Sequence, residues 1–399
     1  MQMSGTFLKC YPTVFVIGNK YRIAIFLKEK GLCKAKIGCE EYYEENAGVL
    51  SAEKCFIQIS VPQTALDESE EYEIIYRKTI DKKAYFSEFG EEEKVKFVFR
   101  SAGKKEKLRA YHIADVHYDF ENGKRLAEYY GNDTDLYIFN GDIGEVETEE
   151  NYFEVLKFTG EISKGETPAV FVRGNHDTRG RLAERYCEYF PAIGTRTYYM
   201  FEIGNFRGVA LDCGEDKVDD FQMKGGEFDG KFVYNGGNRF HEFRLKETKF
   251  LQQLRLPNDG KTVFCVSHIC PNITTFYKGD CFDIEREEYG KWTKELERLN
   301  VRFMLSGHLH EAFVLLQNDE RNTLPHKYPV IVGSENKDGK LLGTALEIDK
   351  GGITGAFTSA DKNKHGTFRI DFKSRSKRLE KIYGKIKIFG CESLFRHKR

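Results

Sequence analysis

The sequence predicts an α/β domain preceded by an all-β sandwich. Three observations carry this expectation. Residues 1–104 hold short apolar runs separated by clusters of Gly, Asn, Asp and Glu, with no long helical period between them. From about residue 108, apolar runs alternate with stretches of helical spacing, the texture of an α/β layer fold. Five of these later runs stop abruptly at Asp, Asn or His, at the strand ends where such folds collect their ligands.

In chain order, residues 21–27, 55–61, 72–77 and 95–100 are the N-terminal strand candidates. The small, charged segment Ser101–Lys107 marks a boundary, so residues 1–104 form one unit and 105–372 the next. Within the second unit, the strands 111–114, 136–140, 170–172, 262–267 and 301–306 alternate with helices over 151–162, 182–190, 246–256 and 285–299. Between Leu211 and Arg244 lies a stretch rich in Gly and Asp, long enough to suggest a functional loop or lid. Strands at 328–332, 344–348 and 366–372 close the fold. Residues 373–399 form a basic tail, with ten Lys and Arg against two acids. It reads as a solvated helix and tail, or as a surface for an anionic partner such as nucleic acid.

Composition excludes more than it assigns. The net charge of −1 gives no global pull toward nucleic acid or membrane, and no apolar run reaches the ~20 residues that a spanning helix needs. The first ten residues lack a basic segment followed by an apolar stretch, so no secretory leader is expected. Ten scattered cysteines, none spaced as Cys-x-x-Cys, predict reduced thiols and a cytoplasmic setting.

The chemistry lies in the five strand ends. They present Asp115-Val116-His117, Gly141-Asp142, Gly174-Asn175-His176-Asp177, His268 and Gly307-His308-Leu309-His310. Oxygen and imidazole ligands of this kind suit divalent cations, and they are too many for one tetrahedral site. Two ions sharing a carboxylate fit the inventory, an arrangement used for in-line displacement at phosphorus. In order, local sequence and spacing, the set resembles the calcineurin-like metallophosphoesterase family over roughly residues 108–312.

The resemblance implies a four-layer fold, a β-sandwich flanked by helices. It implies that Asp115, His117 and His310 hold one metal, that Asn175, His268 and His308 hold the second, and that Asp142 bridges them. A bridging hydroxide would attack phosphorus. His176 would face the leaving group as general acid or charge stabiliser, and Asp177 would orient it. Manganese, iron and zinc all suit these ligands. The partner would be a small phosphoester, monoester or diester. The alternative is a non-catalytic scaffold that keeps the fold for protein contacts.

The N-terminal region is similar to the fibronectin-III-like domain of purple acid phosphatases, but one position departs from that subgroup. Its Gly-Asp-x-x-Tyr becomes Gly141-Asp142-Ile143-Gly144-Glu145, so the tyrosinate that holds ferric iron is missing. Other candidates read as structural. His112 lies inside a strand, Asp119 suits a loop cap, and Cys270 is a bystander. His241, in the Gly-rich loop, could touch substrate, and Arg239 and Arg244 are surface arginines that could clamp phosphate.

Overall fold

The structure, a computed structural model, describes residues 5–224, 226–273, 285–337 and 340–372. The predicted basic tail lies outside the described residues. No described helix is long and apolar enough to cross a membrane.

One large sheet organises the molecule. Its strands run in the order Tyr199–Ile203, Phe206–Leu211, Thr262–Ser267, Met304–Ser306, Val330–Lys337, Lys340–Ile348, Leu108–Ile113, Leu136–Asn140, Ala169–Val172, Thr13–Ile17, Lys20–Phe26 and Phe56–Pro62. Strand Val330–Lys337 joins two halves. Its start pairs parallel with Met304–Ser306, and its end pairs antiparallel with Lys340–Leu342.

Side-chain alternation shows how the halves pack. Ile138, Val170 and Val172 of one half share a core with Phe264, Val266 and Leu305 of the other. The intervening residues point outward. Tyr137, Phe139 and Phe171 pack on Tyr152, Val155 and Phe158 of helix Glu149–Ser163. Val263, Cys265 and Met304 pack on Leu251 of helix Phe240–Gln253 and on Tyr289, Trp292 and Leu296 of helix Arg286–Arg298. Helices therefore lie outside two face-to-face halves of the large sheet. Strands buried on both faces carry continuous apolar runs for this reason, as in Leu136–Asn140.

The first hundred residues are β-rich, as predicted, but their strands are divided. Thr13–Ile17 lies parallel to Ala169–Val172, and Lys20–Phe26 and Phe56–Pro62 extend the large sheet from it. Of the remaining strands, Glu93–Val98, Glu71–Asp81, Gly31–Ile37 and Glu40–Tyr43 form a separate sheet with Glu88–Phe89 at its side, and Glu45–Asn46 pairs with Val49–Leu50. The segment at 101–107 is therefore a turn but not an edge of the large sheet. Thr13–Ile17, buried throughout, lacks the apolar/polar alternation that exposes a strand to sequence reading.

Local chemistry explains the helix ends. Asp119 caps helix Phe120–Ala127 by accepting from Asn122 N, which bears out its reading as a cap. Helix Phe240–Gln253 starts earlier than predicted, because Asp219 of the preceding loop accepts from the backbone N–H groups of Phe240 and His241. The predicted helix 182–190 is two short turns, Ala183–Arg185 and Tyr186–Tyr189, drawn onto the core by Tyr186, Tyr189 and Phe190.

A candidate metal centre at the strand ends

The five predicted motifs meet in one place. Asp115 and His117 follow strand Leu108–Ile113, Asp142 follows Leu136–Asn140, and Asn175 and His176 follow Ala169–Val172. His268, His308 and His310 arrive from the facing half, after Thr262–Ser267 and Met304–Ser306. The chain turns sharply to aim these groups. Asp115, His117, Asp142, His308 and His310 all sit at φ between 45° and 69°, the left-handed region that costs a non-glycine residue about 1–3 kcal/mol. Such strain persists where the surroundings over-determine it, commonly at functional sites.

Gly174 is required by crowding. A Cβ there would lie 2.2 Å from Asp142 Oδ1 and 2.5 Å from Asp142 N. Gly174→Ala is expected to destabilise the fold by about 1–3 kcal/mol, the usual cost of overpacking, measured as a lower midpoint in thermal unfolding.

Three groups of ligand atoms converge, each within 4.8 Å: Asp115, His117 and His310; His117, Asp142 and His176; and Asp142, His268 and His308. Asp142 Oδ2 is 3.2 Å from His268 Nε2 and 3.9 Å from His117 Nε2, so it faces both sides. Asn175 Oδ1 lies 2.9 Å from His308 Nδ1.

The donor set fits cations. His117 Nε2 and His310 Nε2 face each other at 3.2 Å. His268 Nε2 is buried without a well-formed hydrogen bond, although Asp142 Oδ2 is 3.2 Å and Asp115 Oδ1 3.7 Å away. Burial alone would lower the pKa of His268, but the Asp142 and Asp115 carboxylates outweigh it and push the imidazole up to about 10. A bound cation would take the place of that proton. Burial lowers His308 to about 4 and lowers His117 as well, leaving neutral rings suited to ligation.

A supporting shell fixes these ligands. His268 Nδ1 donates to Asn140 O at 2.6 Å, and His310 Nδ1 donates to Asn336 O at 3.1 Å, so each ring presents Nε2 to the centre. Ser334 Oγ donates to Asp115 Oδ2, Asn336 Nδ2 donates to Asp115 O at 2.9 Å, and His308 N donates to Asp115 Oδ2 at 2.9 Å. Sequence reading missed Ser334 and Asn336, which lie on strand Val330–Lys337 with no motif around them. Ser334→Ala is expected to weaken metal binding about 10- to 100-fold, read by titration of metal-depleted protein.

Several expectations need correction. Asp177 does not touch the His176 ring. Its Oδ2 accepts from Gly174 N at 2.8 Å and Asp142 N at 3.1 Å, bracing the turns that carry the ligands. The group at His176 Nε2 is the guanidinium of Arg179, whose Nη1 is 3.0 Å away. Arg244 is no surface clamp: it is buried and donates to Cys213 O and Glu215 O. Arg239, by contrast, is exposed, as expected of a surface arginine, and is paired with Glu242. His241 pairs with Glu285 at 2.8 Å.

Other readings hold. His112 is fully buried against Asn140 Nδ2 at 3.0 Å, where desolvation and His268 push it down to about 3. Cys270 is buried, and every described cysteine is a free thiol. At Glu145, where a ligating tyrosine was missing, the backbone N–H donates to Tyr118 Oη at 2.8 Å.

The fold and the site together define a mixed α/β protein with a large central sheet and candidate metal-ligating groups brought together from both of its halves. Residues 108–312 match the calcineurin-like phosphoesterase family, and the chain belongs to it. Divalent-metal-dependent phosphoester hydrolysis is that family's chemistry, and the candidate ligand groups are present. The chain is 27% identical over 195 residues to a probable cyclic nucleotide phosphodiesterase of Synechococcus sp., a match spanning 48% of this chain and 65% of that protein. In fold it is similar to purple acid phosphatase PPD1 of yellow lupin, with a TM-score of 0.55 at 12% identity over 90% of this chain and 74% of that one. It is also similar to PhoD, with a TM-score of 0.54 at 10% identity over 93% of this chain and 92% of that one.

Proposed function

We propose that the protein hydrolyses phosphoesters with two divalent ions, manganese, iron or zinc. The observation that carries this reading is Asp142, shared between ligand groups on its two sides. Asp115, His117 and His310 would hold one ion and Asn175, His268 and His308 the other, with Asp142 between them. Bound there, the ions would supply an activated water and offset charge on the phosphoryl oxygens. The chain's own residues do the rest. Asp142 Oδ1 accepts from His176 N at 2.8 Å, which ties the turn bearing His176 to the bridging carboxylate. His176, whose Nε2 is 4.0 Å from Asp142 Oδ2, stands beside that carboxylate, where its ring would face the leaving-group oxygen. Asp177 keeps the two turns in register through backbone hydrogen bonds.

Residues 105–372 are proposed as the catalytic unit, with 1–104 as a β-rich companion and 373–399 as the basic tail. A diester substrate is supported by the cyanobacterial relative, a probable cyclic nucleotide phosphodiesterase. The test is a panel of an aryl monophosphate, a bis-aryl diester and a cyclic nucleotide, run on metal-depleted protein reloaded with one ion at a time. Metal-restored turnover of at least one class is expected. A panel with no turnover under any ion would reject the hydrolase reading.

A further inference from the structure

We infer that Arg179 is the positioning residue of His176, and that the acidic start of the 212–239 loop holds Arg179 in place. The inference deepens the hydrolase reading and rests on it. Arg179 directly follows the short turn His176–Thr178. Its guanidinium is a two-sided fork. On one side Nε and Nη2 each donate to a Glu215 carboxylate oxygen at 2.6 Å, and Nη2 also reaches Asp216 Oδ1 at 3.1 Å. On the other side Nη1 donates to His176 Nε2 at 3.0 Å, which makes Nε2 the acceptor and leaves the ring's own proton on Nδ1 to be given to the leaving group. A bidentate, charge-assisted pair fixes the plane of a guanidinium as a single lysine contact cannot.

The anchor is itself anchored. Glu215 is fully buried. Arg244, buried in helix Phe240–Gln253, donates through Nε to Cys213 O at 2.9 Å and through Nη2 to Glu215 O at 2.6 Å. A continuous path of hydrogen bonds thus runs from a core helix through the Glu215 backbone and carboxylate to Arg179, and from there to the imidazole. The ring needs such a hold. Its side chain is 30% exposed at the mouth of the site, where it meets His117 edge-on. The acidic residues at the start of the Gly-rich loop therefore serve the reaction by setting the pose of His176. A misplacement of about 1 Å in a reacting group can cost about a hundredfold in rate.

A double-mutant cycle on the metal-loaded full chain tests this. Arg179→Met is expected to lower kcat by about a hundredfold and leave KM within about threefold. In a His176→Ala background the same change is expected to cost less than about threefold, because the residue it positions is gone. Arg179→Lys, which keeps the charge but not the fork, is expected to lose kcat likewise, and it serves if the Met variant folds poorly. Arg239→Met is expected to match wild type. Equal losses from Arg179→Met in both backgrounds would overturn the inference, since Arg179 would then act on substrate directly. So would wild-type kcat in either Arg179 variant. A second readout is independent of turnover. In the nitrogen NMR spectrum of zinc-loaded protein, the His176 ring signal is expected to shift in Arg179→Met while that of His112 stays. An unmoved His176 signal overturns the inference even if no phosphoester is cleaved, and a wild type that cleaves nothing counts against the hydrolase reading alone.

Discussion

Asp142→Asn is expected to lower turnover by about a thousandfold or more, with metal content falling below two ions per chain. The carboxylate sits between ligand groups on both sides, 3.2 Å from His268 Nε2 and 3.9 Å from His117 Nε2. An amide of the same shape can still accept from His176 N through Oδ1, so the turn should survive. What disappears is the negative charge between the two cation positions. Charge stabilisation by a metal pair is worth several kcal/mol in the transition state, and each 1.36 kcal/mol is about tenfold in rate. The same charge, with Asp115, holds the His268 imidazole near a pKa of about 10. Without it, burial should dominate and His268 should lose its proton at much lower pH in metal-free protein. Assay with elemental analysis of bound metal checks the first expectation. Two ions and normal turnover in this variant would remove Asp142 from its bridging position.

His176→Ala separates chemistry from metal binding. Turnover should fall at least ~100-fold, the usual scale for a lost general acid, while both ions remain. The separation is expected because, in the proposed assignment, the first ion would have Asp115, His117 and His310 and the second Asn175, His268 and His308, with Asp142 common to both and His176 holding neither. Parallel measurement of kcat and metal stoichiometry checks it. Unchanged turnover would defeat the role given to His176, and loss of metal would make it a ligand.

The site was legible because its ligands lie within a few residues of strand ends. Asp115-Val116-His117 and Gly307-His308-Leu309-His310 each announce a turn that ends an apolar run. Gly174 could be read as a turn residue, but only the structure shows that the space its Cβ would fill belongs to Asp142. The supporting shell was not legible. Ser334 and Asn336 are 219 and 221 residues from Asp115 in sequence, and nothing local marks them. Arg244 looked like a surface charge because it fell at the end of the Gly- and Asp-rich stretch, outside the predicted helix at 246–256, and nothing local reveals that the loop folds back over it. Asp177 was misread in role for a related reason: its carboxylate is taken up by backbone N–H groups, which sequence does not display. In the fold, alternation revealed the antiparallel strands at 21–27, 55–61, 72–77 and 95–100 but Gly31–Ile37 was missed despite its alternation, and Thr13–Ile17, buried on both faces, gave no such pattern. Its pairing with Ala169–Val172 is what carries the N-terminal strands into the large sheet.

A pair of cations flanking Asp142 is the central expectation for this site. Anomalous diffraction from crystals soaked in manganese would locate them directly. Two peaks about 3.5–4 Å apart are expected, one against Asp115, His117 and His310, the other against Asn175, His268 and His308, with a carboxylate oxygen of Asp142 touching both. A single peak, or peaks that leave Asp142 without a contact, would contradict it.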